Sequence, residues 1–272
     1  MIKTITLMAA LLLFKNASAE TISDELHSVI PGDGINPHII RLMNGRAIYL
    51  QENKTIDSSH YIQLPQGSLI KAVINQQGIV KSINYQERQQ NRTAEEVETE
   101  NQKTTATVLN NYEDARTIFE RLNTDYQRIS QCTNRAHVWS YEEYKNQAVV
   151  MDKVFIFFTS SYLWKHKFAW WFHVAPAVKL ADGEDLVLDY RYAFAPYTMK
   201  QWTDLFVYTK RSCPFIGKYS EYRNHQDKED CYIMKTNMYY WQPLDMEREE
   251  SGAAPKTDFN PEEISWAYKE AF

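Results

Sequence analysis

The chain reads as an α+β protein with a mainly antiparallel sheet, preceded by a small β-rich unit. Three observations predict this. Residues 33–85 break into short β-favouring runs divided by turn clusters, and residues 111–146 carry apolar side chains at helical spacing. Beyond them, strand-like apolar runs alternate with helical segments to the C-terminus. With 272 residues, 44% of them apolar, the chain can bury one fair-sized core or two small ones. A net charge of −5 argues against a nucleic-acid footprint. Only eight glycines are present, and no phosphate-cradling or dinucleotide fingerprint occurs.

Residues 1–19 come first. Lys3, an apolar run from Ile5 to Phe14 and the small-x-small triplet Ala17-Ser18-Ala19 have the form of a signal peptide cleaved after Ala19. The run falls short of the roughly 20 residues that a membrane span needs. An exported, soluble protein is expected, secreted or periplasmic. Residues 20–85 form the β-rich unit, with HIIRLM, RAIYLQ, HYIQL, LIKAVI and IVKSINY as candidate strands. Asn44-Gly45, Glu52-Asn53, Pro65-Gln66-Gly67 and Gln77-Gly78 punctuate them, so four or five antiparallel strands are expected. Residues 86–106 are almost devoid of apolar side chains and read as an exposed linker open to proteases.

The second unit covers residues 107–272. NYEDARTIFERLN places Ala115, Ile118, Phe119 and Leu122 on one helical face, with Asn111 as its cap. CTNRAHVWSYEEYKN (132–146) is a second helix with Cys132 in its first turn. Strands are expected at 153–160, 168–180, 185–195 and 231–241, the last with a bulge at Asn237. Helices are expected at 198–210 and after Asn260-Pro261-Glu262-Glu263.

Outside the cytoplasm three cysteines leave one over. A Cys213–Cys231 bridge would close a short loop and restrain it by roughly 3 kcal/mol in the chain-entropy view. Cys132 would then be the free thiol. A helix N-terminus and an imidazole both lower a thiol's pKa, which makes Cys132 a candidate nucleophile. His137, five residues on, lies well round the helix from it. His173, in WWFHVAP, is the better base, and Asp189, in LVLDYRY, is the candidate orienter of that base. The two face each other directly if the hairpin is centred on Ala181 with Lys179–Gly183 as its loop; a two-residue turn on Asp182-Gly183 would put them on opposite faces. His166 and His173 have no third ligand nearby, so no metal site is expected.

C-x-x-R-A-H at 132–137, the W-x-x-H-V-A strand at 170–175 and an apolar strand running to Asp189 resemble the bacterial protein-glutaminases, as does Asn237-x-Tyr239-Tyr240-x-x-Pro243. The resemblance spans about Val108 to Pro243. It implies a transglutaminase-like or papain-like cysteine-hydrolase core, with glutamine side chains of proteins deamidated to glutamate and ammonia. It implies Cys132 as nucleophile, His173 as base and acid, and Asp189 as orienter, with Arg135, His137 and Trp171 in support and no metal or cofactor. The partners implied are proteins or peptides with exposed glutamine, and neither nucleic acid nor membrane. An N-terminal segment that covers the cleft until removed is also implied. The chain departs from the family in having Tyr190 rather than proline after the aspartate, and too few cysteines for several disulfides. A transglutaminase or cysteine protease with the same triad, or a secreted binding protein without catalysis, are the other readings.

Overall fold

A computed structural model describes residues 19–33, 35–51, 61, 64–86, 105–209 and 213–272. Residues 1–18, expected to be a signal peptide, and residues 87–104 of the expected linker lie outside the described residues. The architecture is α+β, with two separate sheets and, among the described residues, seven helices.

The first sheet contains β1 (Glu20–Ile30), β2 (His38–Leu42), β3 (Ala47–Leu50), β4 (Leu69–Ile74) and β5 (Val80–Gln86) in the order β3-β2-β1-β4-β5, antiparallel throughout. Ile22, Leu26, Ile40, Leu42, Ile48, Ile70 and Val80 fill its core. Its central strand is β1, which the strand runs read from residue 33 onward omit; Asp24, Glu25 and Ser28 dilute its apolar alternation. HYIQL is described only at Tyr61 and Leu64, and neither lies in a strand.

The second sheet contains β6 (Val108–Leu109), β7 (Asp152–Phe158), β8 (Phe172–Leu180), β9 (Asp185–Val187), β10 (Tyr197–Thr198) and β11 (Cys231–Asn237). Its order is β10-β9-β8-β7-β11, antiparallel, with β6 parallel to β8 at Lys179 and Leu180. Around it lie α1 (Tyr112–Arg121), α2 (Cys132–Gln147), α3 (Ser160–His166), α4 (Met199–Asp204), α5 (Tyr219–Asn224), α6 (Pro243–Glu250) and α7 (Pro261–Ala271). Asn111 caps α1 by accepting from the N–H groups of Glu113 and Asp114, and Asn260 caps α7. Residues 132–140 of α2 are all buried, so this helix is the axle of the unit.

Several expected boundaries move. The strand expected over 185–195 ends at Val187, because the chain turns at Asp189, whose carbonyl accepts from the N–H groups of Tyr192 and Ala193. Ser160 opens α3 rather than ending a strand, with Thr159 as cap. β11 ends at Asn237 in continuous register with β7, without a bulge. There Asn237 accepts from the N–H of Tyr239 and turns the chain. The 198–210 helix is helical only over Met199–Asp204. Cys213 and Cys231 are joined in a disulfide, fastening the loop that pairs with β11 through Phe215 and Ile233.

The two sheets meet along residues 163–172. Arg46 bridges Trp170, the Trp171 indole N–H donates to the carbonyl of Leu42 at 2.8 Å, and the Tyr49 hydroxyl donates to the carbonyl of Phe168 at 2.6 Å. Gly45, at φ +89°, is pressed against Phe172: a Cβ there would stand 3.1 Å from its carbonyl oxygen and 3.2 Å from its ring. This contact ends one residue before His173.

Candidate active site

Cys132 is the first residue of α2. Gln131 precedes it without a side-chain capping bond, so the first-turn N–H groups keep their donors and the helix dipole acts at the sulfur. The thiol is 3% exposed, His173 5% and Asp189 1%.

The β8–β9 hairpin brings the other two residues together. Its register pairs Ala177 with Val187 and Lys179 with Asp185, which centres the turn on Asp182. A three-residue loop results, closed by the Leu180 N–H to the Glu184 carbonyl at 2.8 Å, with Gly183 at φ +93°. This is neither of the two hairpins the sequence offers. Shifting the centre by one residue from Ala181 moves each partner by two positions, so the face is preserved. The Leu188 N–H continues the register by donating to Pro176, which sets Asp189 beside Ala175, diagonal to His173 and on the same side. His173 Nε2 and Asp189 Oδ2 are 2.7 Å apart.

With Nε2 committed to Asp189, Nδ1 is the ring nitrogen left for the hydrogen bond between His173 and Cys132. Burial pushes the thiol up, yet the His173 charge and hydrogen bond, the Arg135 charge and the Val174 N–H together hold it below the ordinary thiol value. Burial alone would lower His173, but Asp189 and Cys132 outweigh it and raise the imidazole to about 9. Burial likewise raises Asp189, while His173, the Trp202 N–H and Arg135 bring it below the usual carboxylate value. The arrangement is a buried Cys–His pair braced by a carboxylate.

Trp202 is the residue that sequence reasoning missed. Its indole N–H, from α4, donates to Asp189 Oδ2 at 2.9 Å. A buried indole needs an acceptor and a buried carboxylate needs donors, so the two demands could have been matched from sequence. Tyr192 and Phe206 complete the wall around the imidazole, with ring centroids 5.1 and 4.8 Å away.

The three supporting residues part company. Arg135 stays near the pair: it donates to the Ser130 carbonyl and hydroxyl, and its guanidinium lies 5.5 Å from the Tyr126 ring centre. His137 is buried elsewhere, with Nδ1 2.6 Å from Lys153 Nζ and its ring against Trp241 and Phe259. Trp171 belongs to the contact between the sheets, its ring centre 4.3 Å from that of His27 at a tilt of 43° and under the Arg41 guanidinium.

Residues 97–206 match the family model described as glutaminase. A solved structure of a mutant of pro-protein-glutaminase aligns over 83% of this chain and 85% of its own, with a TM-score of 0.50 and 13% identity. Over residues 97–206 the chain is similar to the glutaminase family. A second pro-protein-glutaminase structure aligns over 82% of this chain and 84% of its own at TM-score 0.49 and 13% identity. The protein-glutaminase of Chryseobacterium proteolyticum aligns over 60% of this chain and 86% of its own, at TM-score 0.36 and 15% identity. The first of these carries the likeness of fold between this chain and the protein-glutaminases. No curated protein matches the chain.

Proposed function

We propose that the protein is an exported protein-glutamine deamidase whose nucleophile is Cys132. The observation that carries this reading is the buried Cys132–His173–Asp189 constellation at a helix start, in a segment matching the glutaminase family. Cys132 attacks the carboxamide carbon of a glutamine side chain. First-turn N–H groups of α2 receive the developing oxyanion. The imidazolium of His173 gives its proton to the leaving ammonia, and a thioester remains. Neutral His173 then takes a proton from water, which opens the thioester to glutamate and restores the thiolate–imidazolium pair. Asp189 keeps Nδ1 directed at sulfur throughout.

Export is supported by the leader-like first residues and by the Cys213–Cys231 bridge, which suits an oxidising compartment. The N-terminal sheet acts as a removable cover in this reading. In support, the triad side chains are nearly closed to solvent, and the sheet is bonded to the residues that run directly into His173.

The test is ammonia release from a glutamine-containing protein, with chain cut in residues 87–104 and a Cys132→Ser control. Ammonia that disappears in the control supports the deamidase. Amine-linked or cleaved products without ammonia would replace it by a transglutaminase or protease. No product from folded, cut protein would favour a binding protein.

A further inference from the structure

Of the three aromatic rings around His173, Trp202 and Phe206 are buried, whereas Tyr192 is 39% exposed. Tyr192 therefore joins the buried Cys–His pair to the surface. The surface on either side of it is apolar. Phe194 is 93% exposed and Ile129 88%, two of the three most exposed large apolar side chains among the described residues. A single exposed apolar residue needs no explanation, but these two stand on the loops that carry the triad. Ile129 lies three residues before Cys132, and Phe194 lies five after Asp189.

The two loops are tied together and held in shape. Arg191 Nη2 donates to the Arg128 carbonyl at 3.3 Å. The Ser130 N–H donates to the Gln127 carbonyl at 2.9 Å, and Arg135 donates to the Ser130 carbonyl, so Ile129 stands in a closed turn. In the other loop the buried Ala193, next to Phe194, donates its N–H to the Asp189 carbonyl at 2.8 Å. Apolar side chains on a fixed backbone lose little further freedom when a partner covers them.

The reaction itself brings a partner to this place. A glutamine side chain is short, so when its amide carbon reaches the Cys132 sulfur the substrate backbone stays at the mouth of the site. An extended chain advances about 3.3–3.6 Å per residue, which sets the residues next to the glutamine over the two loops.

Resting on the deamidase reading, we propose that Ile129, Tyr192 and Phe194 form the recognition rim for the substrate protein and select glutamines flanked by a large apolar side chain. The experiment measures binding rather than turnover, so the rim and the deamidase reading fail separately. The full chain, cut in place within residues 87–104 and carrying Cys132→Ser, is titrated calorimetrically with two peptides. They differ only in having leucine or serine on both sides of one glutamine. The leucine-flanked peptide should bind about tenfold more tightly, as covering part of an apolar side chain supplies. Ile129→Ser combined with Phe194→Ser should erase that difference. Both side chains are exposed, so neither change opens a cavity, and a thermal melt checks the fold. Equal affinity for the two peptides, or a preference that survives in the double variant, overturns the proposal. A preference that holds while the wild-type chain releases no ammonia supports the rim and counts against the deamidase reading alone.

Discussion

Of the groups that act on the Cys132 thiol, His173 and the Val174 N–H lie far away in sequence. The helix start contributes a partial charge, but His173, Arg135 and the Val174 N–H are what overcome the cost of a buried thiolate. The order of the charges fixes a pH profile. Acid protonates the thiolate, and alkali removes the His173 proton near pH 9. A bell-shaped dependence of kcat/KM with its alkaline limb near that value is therefore expected. Asp189→Asn removes the negative charge that favours imidazolium, so the limb should move to lower pH and kcat should fall about 10²- to 10⁴-fold. Trp202→Phe keeps that charge but frees the carboxylate to rotate. Its kcat should drop about tenfold while KM stays put, which steady-state kinetics with one protein substrate would check. At this scale the sequence was readable where chemistry is rare: a spare cysteine, a histidine among aromatics and an acid in an apolar run. Trp202 escaped because an indole on an apolar helix face is ordinarily core.

The element scale explains why His137, in the same motif as Cys132, serves another purpose. It joins α2 to β7 through Lys153, which also donates to the Tyr240 carbonyl at 2.7 Å. Burial holds Lys153 well below the ordinary lysine value, with the nearby Lys256 charge adding to it, so the fold favours the neutral amine. Unfolding lets it take up a proton, and the chain loses stability as pH falls from 10.5 toward the folded value. Lys153→Met strands two acceptors and should cost about 2 kcal/mol at alkaline pH. The gap should narrow toward neutral pH, as paired denaturant melts would show. The starts of α1 and α7, capped by Asn111 and Asn260, were legible, whereas that of α3, capped by Thr159, was not, since the segment follows directly on the apolar run of β7. The β8–β9 loop was legible only as two alternatives. The choice rests on Gly183 taking a positive φ, which dipeptide signals leave open. The β2–β3 turn makes a sharper demand. Gly45→Ala strains a left-handed residue and presses on Phe172, so about 1–2 kcal/mol should be lost. Limited proteolysis and a lowered melting temperature would report it as looser docking of the first sheet.

At the scale of the whole molecule, the sheets are coupled through the residues that lead into His173. The α+β class and the succession of a β-rich unit and a larger mixed unit could be read from the period of the apolar residues. Their docking could not, because Tyr49, Trp171 and Arg41 look like ordinary core or surface residues until the two sheets meet. If the first sheet restrains the cleft, cutting the chain within residues 87–104 should raise activity at least tenfold, with the rise following the loss of intact chain on a gel. Equal activity before and after cutting would remove the covering role and leave the triad unaffected. The central claim, hydrolysis of glutamine amides by Cys132, has a more direct test. A glutamine-bearing protein substrate is treated in heavy-oxygen water with cut enzyme and with its Cys132→Ser variant, and the products are weighed by mass spectrometry. The account requires one solvent oxygen in each glutamate formed, and none with the variant. Glutamate formed equally by the variant, or unmodified glutamine after treatment with folded, cut enzyme, would contradict it.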